Sequence, residues 1–331
     1  MKLSVVIISY NEKKYLSDAI NSCLAQDFDE PFEIIIGDDG SSDGSIELIT
    51  EFATQYPDVI SWFVMDRLDI VDIIPSLRAS NVLKRAFSIA TGEYLAVMSG
   101  DDLLCDRYKF SKQADFLDKN PKYKSCYTDF KLFWNDGKEQ NISVRSSMSR
   151  AVFWSKRYVH ISCFLFRRNA IDHLLDRFCD DTGLMLSIFK SGKAKHFPGV
   201  MFGYRQRDGS IMHESDILEL NILELLLLQD TLNKKGYYFS SLSRFSHPLF
   251  YVYKNRNCLM DKRYNKYLLN GRKYGNDYLG WINNLNQMSL LDKAKIYGFL
   301  AVSGCSDWFF YCIRKVDALK NFLFKKMNVY V

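Results

Sequence analysis

The sequence predicts an α/β fold, a mostly parallel central sheet flanked by helices, followed by a C-terminal helical region. Three observations carry this expectation. Short apolar runs alternate with amphipathic helical stretches through residues 3–102, two of those runs end on paired carboxylates, and near residue 213 the alternation gives way to aromatic and basic segments.

The first apolar run, residues 3–9, predicts a buried strand, and residues 13–25 predict a helix with Tyr15, Leu16, Ala19, Ile20, Cys23 and Leu24 along one stripe. Residues 32–36 form a second strand. Its three consecutive isoleucines, Ile34, Ile35 and Ile36, suit a strand covered on both faces, and it runs straight into Asp38 and Asp39. The stretch Asp38-Asp39-Gly40-Ser41-Ser42-Asp43 has two readings at this point. It is a turn that caps the following helix, or it is a ligand site at the carboxyl end of a parallel strand.

Residues 45–56 predict a second helix and residues 59–65 a third strand, which completes a βαβαβ pattern with short loops. Pro75 marks residues 66–80 as a loop-rich insertion, with helix resuming at residues 81–91. A fourth strand over residues 94–98 again ends on carboxylates, in Ser99-Gly100-Asp101-Asp102. Two acidic strand ends in one sheet repel unless a cation or ligand compensates, which favours the site over the turn.

Further along, residues 108–117 predict a helix and residues 126–133 a strand, which turns back at Asn135-Asp136-Gly137. Residues 141–159, with Arg145 and Arg150, read as a loop, and residues 169–177 as a helix. A third acidic pair, Asp180-Asp181, opens a helical stretch over residues 182–191, where helix capping is an equally good reading. A strand at residues 195–202 leads into Tyr204-Arg205-Gln206-Arg207. His160, beside an apolar strand, fits a structural role better than a contact with a substrate, and Trp134, Phe153 and Trp154 fit core packing better than stacking on a ligand.

At 331 residues the chain is long enough for about two domains, which we place at 1–212 (halves 1–102 and 103–212) and 213–331. The eight cysteines form no CxxC pair and the five histidines no HExxH, so reduced thiols in a cytoplasmic protein are expected. The apolar run at residues 3–8 is too short for a signal-peptide core. The net charge of +5 is uneven, because residues 254–331 hold 14 Lys and Arg against 5 Asp and Glu. Basic residues there, from Arg314 to Lys326, interleave with Phe322, Leu323, Phe324 and Met327, a pattern suited to a helix lying on anionic lipid, or to a helical cap with solvated basic faces. The charge forms no stripe across the sheet, so nucleic acid is not an expected partner.

Four stretches in order, SVVIISYNE (4–12), EIIIGDDGSSDGS (33–45), ATGEYLAVMSGDD (90–102) and, more weakly, DDTGLMLSIFKSG (180–192) with FGYRQRDGS (202–210), resemble the family 2 glycosyltransferases of bacterial surface-polysaccharide type. That resemblance implies the nucleotide-sugar-binding GT-A fold over roughly the first 215 residues. It implies that Tyr10 and Glu12 border the donor's base, that Asp39, with Asp38, accepts from the base N3–H, and that Asp101 and Asp102 stand in for the metal-binding DxD motif. Ser9 and Gly100 fall in the same donor-side segments. It further implies that Asp181 is the catalytic base, with Tyr204 and Arg205 closing on the pyrophosphate or supporting the acceptor pocket. Ser99 stands where the usual first Asp would be, Gly183 replaces a usual polar residue, and Arg207 stands where a His is usual.

The implied activity is metal-dependent, inverting transfer from a UDP- or dTDP-sugar to a hydroxyl of a growing, lipid-linked glycan such as capsule or O-antigen. Mg²⁺ or Mn²⁺ is the implied cofactor, with a glycan or glycolipid acceptor. The expected location is the inner face of the cell membrane, with peripheral contact to anionic lipid and possible pairing into a homodimer. The alternative is a nucleotide-sugar-binding scaffold subunit without turnover.

Overall fold

The computed structural model describes residues 1–66, 75–144, 159–171 and 181–207. The expectations for Arg145, Arg150, Phe153, Trp154, Asp180 and everything from residue 208 onward lie outside these residues.

Four parallel strands form the frame: β1 (Leu3–Ser9), β2 (Phe32–Asp38), β3 (Ile60–Val64) and β4 (Tyr94–Ser99), in the order β3-β2-β1-β4. Helices α1 (Lys13–Leu24), α2 (Ser45–Gln55) and α3 (Pro75–Ile89) connect or precede them. The isoleucine run shows why the frame is covered on both faces. Ile34 and Ile36 pack with Leu16, Ile20 and Ile49 from α1 and α2, whereas Ile35 packs on the other face with Val82, Leu83 and Ala86 from α3. Each residue of the run is fully buried.

Beyond β4 the sheet continues through β8 (Leu165–Arg167), β6 (Tyr123–Trp134), β9 (Lys193–Gln206) and the short β5 (Leu103–Leu104). β8 is antiparallel to both its neighbours, β6 and β9 run parallel, and β7 (Glu139–Ile142) folds back on β6. Helices α4 (Lys109–Lys119) and α5 (Asp181–Ser191) complete the described elements. The β6–β7 hairpin turns where expected, with Gly137 at φ 85°.

The structure corrects four expectations. Pro75 does not exclude a helix but begins one, because proline lacks only an N–H that the first helical turn leaves unpaired anyway. Asn141 and Ile142 are strand rather than loop, since they pair with Lys131 and Phe130. The expected helix at residues 169–177 starts as a short 3₁₀ turn, Arg168–Ala170, with its continuation outside the described residues. The final strand is longer than residues 195–202, because β9 accompanies β6 along its whole length across register shifts.

Helix α3 sits so close to the sheet that Gly37 has no room for a side chain. A Cβ there would lie 2.4 Å from Val82 Cγ1 and 2.8 Å from the Phe63 ring. Gly37→Ala should therefore destabilise the fold by about 1–3 kcal/mol through overpacking, read as a lowered midpoint in thermal or urea unfolding.

Candidate donor and catalytic site

Strand register brings the acidic ends together. Ser9 pairs with Asp38 on one side of β1 and Ile8 with Ser99 on the other, so both carboxylate-bearing turns leave the same edge of the sheet. This is the carboxyl edge, where ligands sit in open α/β sheets.

At the first turn, Asp38 and Asp43 brace the loop while Asp39 pairs with an arginine of α3. Asp38 is fully buried and both its oxygens accept from Ser41, from the backbone N–H at 2.7 Å and from the hydroxyl at 2.6 Å. Asp43 accepts from the Lys13 N–H through Oδ2 and from the Ser45 N–H and hydroxyl through Oδ1. Asn11 lies in the left-handed region at φ 51°, a conformation asparagine tolerates, and its Oδ1 accepts from the Ser42 N–H while its own N–H donates to the Ser41 hydroxyl. These contacts fasten the loop after β1 to the loop after β2. Asp39 faces elsewhere: Arg78 from α3 donates to its Oδ2 through Nε at 2.8 Å and Nη2 at 2.5 Å. The Arg78 guanidinium also lies 5.4 Å from the centre of the exposed Tyr10 ring. Burial pushes the Asp39 carboxyl up and Arg78 works against that.

The second turn is held more tightly. Asp102 is fully buried, its Oδ1 accepts the Arg205 N–H at 3.0 Å, and its Oδ2 has no hydrogen-bond partner among the described residues. Asp101 Oδ2 accepts from Arg207 Nε at 2.6 Å, and Arg207 Nη2 reaches Glu12 Oε1 at 2.8 Å. Glu12 is buried, and its Oε2 likewise has no partner among the described residues. Gly100 permits this crowding, since a Cβ would stand 2.7 Å from Glu12 Oε2. Burial, and then the Asp101 charge, push the carboxyls of Glu12 and Asp102 well above their usual range.

β9 delivers the remaining groups. The Arg205 guanidinium donates to the Asp101 carbonyl and to Asn135 Oδ1 and lies over the Tyr15 and Phe133 rings, so it braces the acidic turn from behind. The Tyr204 phenol is pushed up to about 12 by burial and then by the negative charge of Asp102, Asp101 and Asp181. His160 is buried and packs its ring on Tyr204 and Phe202 at 4.5 and 5.0 Å, and its Nδ1 accepts from the Ser162 N–H. Burial lowers its pKa to about 4, so the ring is neutral at neutral pH. Asp181 opens α5 with a side chain that reaches solvent, yet the protein crowded about it raises its carboxyl to about 6.

The arrangement fits a hard divalent cation by donor chemistry. A buried carboxylate oxygen without a partner, beside a second carboxylate, suits an ion that takes one or two carboxylates and fills its other positions with water and phosphate. Among the described residues no group of three or more His, Cys, Asp or Glu makes a protein-only metal cage. Sequence reasoning passed over Arg78 and noted Arg207 only as standing where a His is usual; both are paired with acidic side chains, Arg78 with Asp39 and Arg207 with Asp101 and Glu12.

A doubly wound half-sheet carrying acidic turns on one edge, extended by a mixed half that returns a strand to those turns, defines a GT-A fold. Residues 4–175 match the model of Glycosyl transferase family 2, and the chain belongs to that family. Among curated relatives, an uncharacterised protein of Mycobacterium tuberculosis is 31% identical over 175 residues, which is 50% of this chain and 47% of that one. The putative glycosyltransferase EpsE of Bacillus subtilis is 32% identical over 132 residues, 40% of this chain and 44% of that one. The putative teichuronic acid biosynthesis glycosyltransferase TuaG of the same organism is 28% identical over 138 residues, 41% of this chain and 49% of that one. The chain thus spans about half the length of these relatives. Among solved structures, S. aureus TarS 1-349 in complex with UDP-GlcNAc superimposes with a TM-score of 0.57 at 14% identity, over 92% of this chain and 80% of that one, a likeness of fold.

Proposed function

We propose that the protein transfers a sugar, with inversion, from a UDP- or dTDP-sugar to a hydroxyl of a surface glycan carried on lipid, and that it depends on Mg²⁺ or Mn²⁺. The observation that carries this is the gathering of Asp39 and the Asp101–Asp102 turn along one edge of the sheet, with the buried Asp102 Oδ2 unpartnered among the described residues. The relatives support the glycan part: EpsE and TuaG are described as putative glycosyltransferases, TuaG in teichuronic acid biosynthesis. A mannosyltransferase of Pyrobaculum calidifontis, similar in fold at a TM-score of 0.51, was solved with GDP-Man and Mn²⁺.

In this reading the base of the donor stacks near Tyr10, and Asp39 accepts from its N3–H after Arg78 turns from the carboxylate. Asp38 acts through the turn it braces. Asp101 and Asp102 would hold the divalent ion, which when bound would supply positive charge against the departing diphosphate. Arg205 holds the Asp101–Asp102 turn in place. Asp181 takes the proton of the attacking hydroxyl as that oxygen bonds to the anomeric carbon and the bond to the diphosphate breaks. A carboxyl near 6 is ionised at neutral pH and is basic enough to accept that proton.

Asp181→Asn should abolish sugar transfer while UDP binding persists; full turnover in that variant would remove Asp181 from the mechanism. In the wild type the base must be ionised, so kcat should be lost as pH falls through about 6, and a kcat flat from pH 5 to 8 would contradict the role.

Membrane contact is part of the same proposal and rests on the basic and aromatic residues 314–331. Among the described residues no helix is long and apolar enough to cross a membrane. The full chain should sediment with phosphatidylserine vesicles and a chain ending at residue 313 should not; equal sedimentation would dismiss the membrane part.

A further inference from the structure

Three buried carboxylates, Glu12, Asp101 and Asp102, meet at the turn after β4, and among the described residues a single guanidinium, that of Arg207, hydrogen-bonds to their oxygens. Arg205 adds no second one, because its guanidinium is directed to the Asp101 carbonyl and Asn135 while only its backbone N–H meets Asp102. Glu12 Oε2 and Asp102 Oδ2 remain buried and without hydrogen-bond partners among the described residues. Buried anionic oxygens require a cation or a proton, so the cluster has room for positive charge beyond Arg207.

Arg207 cannot share Asp101 Oδ2 with a metal ion at no cost. A guanidinium is permanently charged and has no lone pair, so it cannot become a ligand, and a divalent ion beside it is repelled. Its two-pronged hold on Asp101 and Glu12 fixes it against the turn, with only 16% of its side chain exposed.

We propose that Arg207 is a resident counter-cation that competes with the divalent ion for Asp101. Without metal it ties Asp101 to Glu12. Ion binding requires the guanidinium to leave Asp101, and the freed cation is then available to the diphosphate. The inference deepens the metal reading above and rests on it.

The test is Mn²⁺ titration of the full chain without nucleotide, following the free-ion electron paramagnetic resonance signal, for wild type, Arg207→Gln and Arg207→Lys. Removing the competing charge should tighten Mn²⁺ binding in R207Q by about tenfold or more, while R207K, which keeps the charge, stays within about threefold of wild type. Equal or weaker Mn²⁺ binding in a folded R207Q overturns the competition. If R207Q binds no tighter but wild type loaded with UDP takes up Mn²⁺ in a parallel titration, the metal reading survives alone; if no form takes up Mn²⁺, both fall. A second measurement covers the case in which R207Q does not fold. In wild type, the Arg207 Nε–H resonance, assigned by its absence from R207K, should move when Mg²⁺ is added, and no movement at saturating Mg²⁺ overturns the proposal.

Discussion

The site is organised by a concentration of negative charge that the fold buries without fully neutralising. Glu12, Asp101 and Asp102 approach one another because β1 and β4 lie side by side and Gly100 leaves space for the Glu12 carboxylate. Such a cluster repels itself, and desolvation pushes two of its carboxyls well up. The last described strand answers this: β9 runs the length of β6 and returns Arg205 and Arg207 to the turn. The mixed half of the sheet is thus the support on which the acidic half depends.

The turn after β2 follows a different logic. Its acids are mostly satisfied locally, Asp38 by Ser41 and Asp43 by Ser45 and Lys13, and the resulting network fastens the loop that carries Tyr10, Asn11 and Glu12. Asp39 is instead held by Arg78 across the turn, and it is the residue we propose for recognition of the base. Capping by Asp38 and Asp43 is therefore compatible with the ligand role proposed for Asp39. Local hydrogen bonds give the rigid base from which one carboxylate can be presented.

Much of this was legible in the sequence because it is local. The isoleucine run, the helical stripe of α1 and the Asn135-Asp136-Gly137 turn each encode their structure within a few residues, and the acidic strand ends follow from them. Pro75 misled because its meaning depends on whether it begins a helix or interrupts one, which its neighbours do not announce. The arginine pairings were illegible for another reason. Arg78 is 39 residues from Asp39, and Arg207 is 106 from Asp101 and 195 from Glu12, so nothing local marks them as partners. Once parallel strands had been expected to bring the acids together, the unbalanced charge itself was the signal that distant cations must be brought to them.

The proposed function divides labour along one sheet edge, with Asp39 reading the base and Asp101–Asp102 acting on the diphosphate through a metal ion. Calorimetric titration of uridine and of UDP, each with and without Mn²⁺, into wild type, Asp39→Ala and Asp102→Asn tests it most directly. The account predicts that D39A weakens uridine and UDP alike in either condition, whereas D102N leaves uridine binding intact and removes only the gain that Mn²⁺ gives to UDP. Loss of uridine binding in a folded D102N, or unchanged uridine binding in D39A, would contradict it.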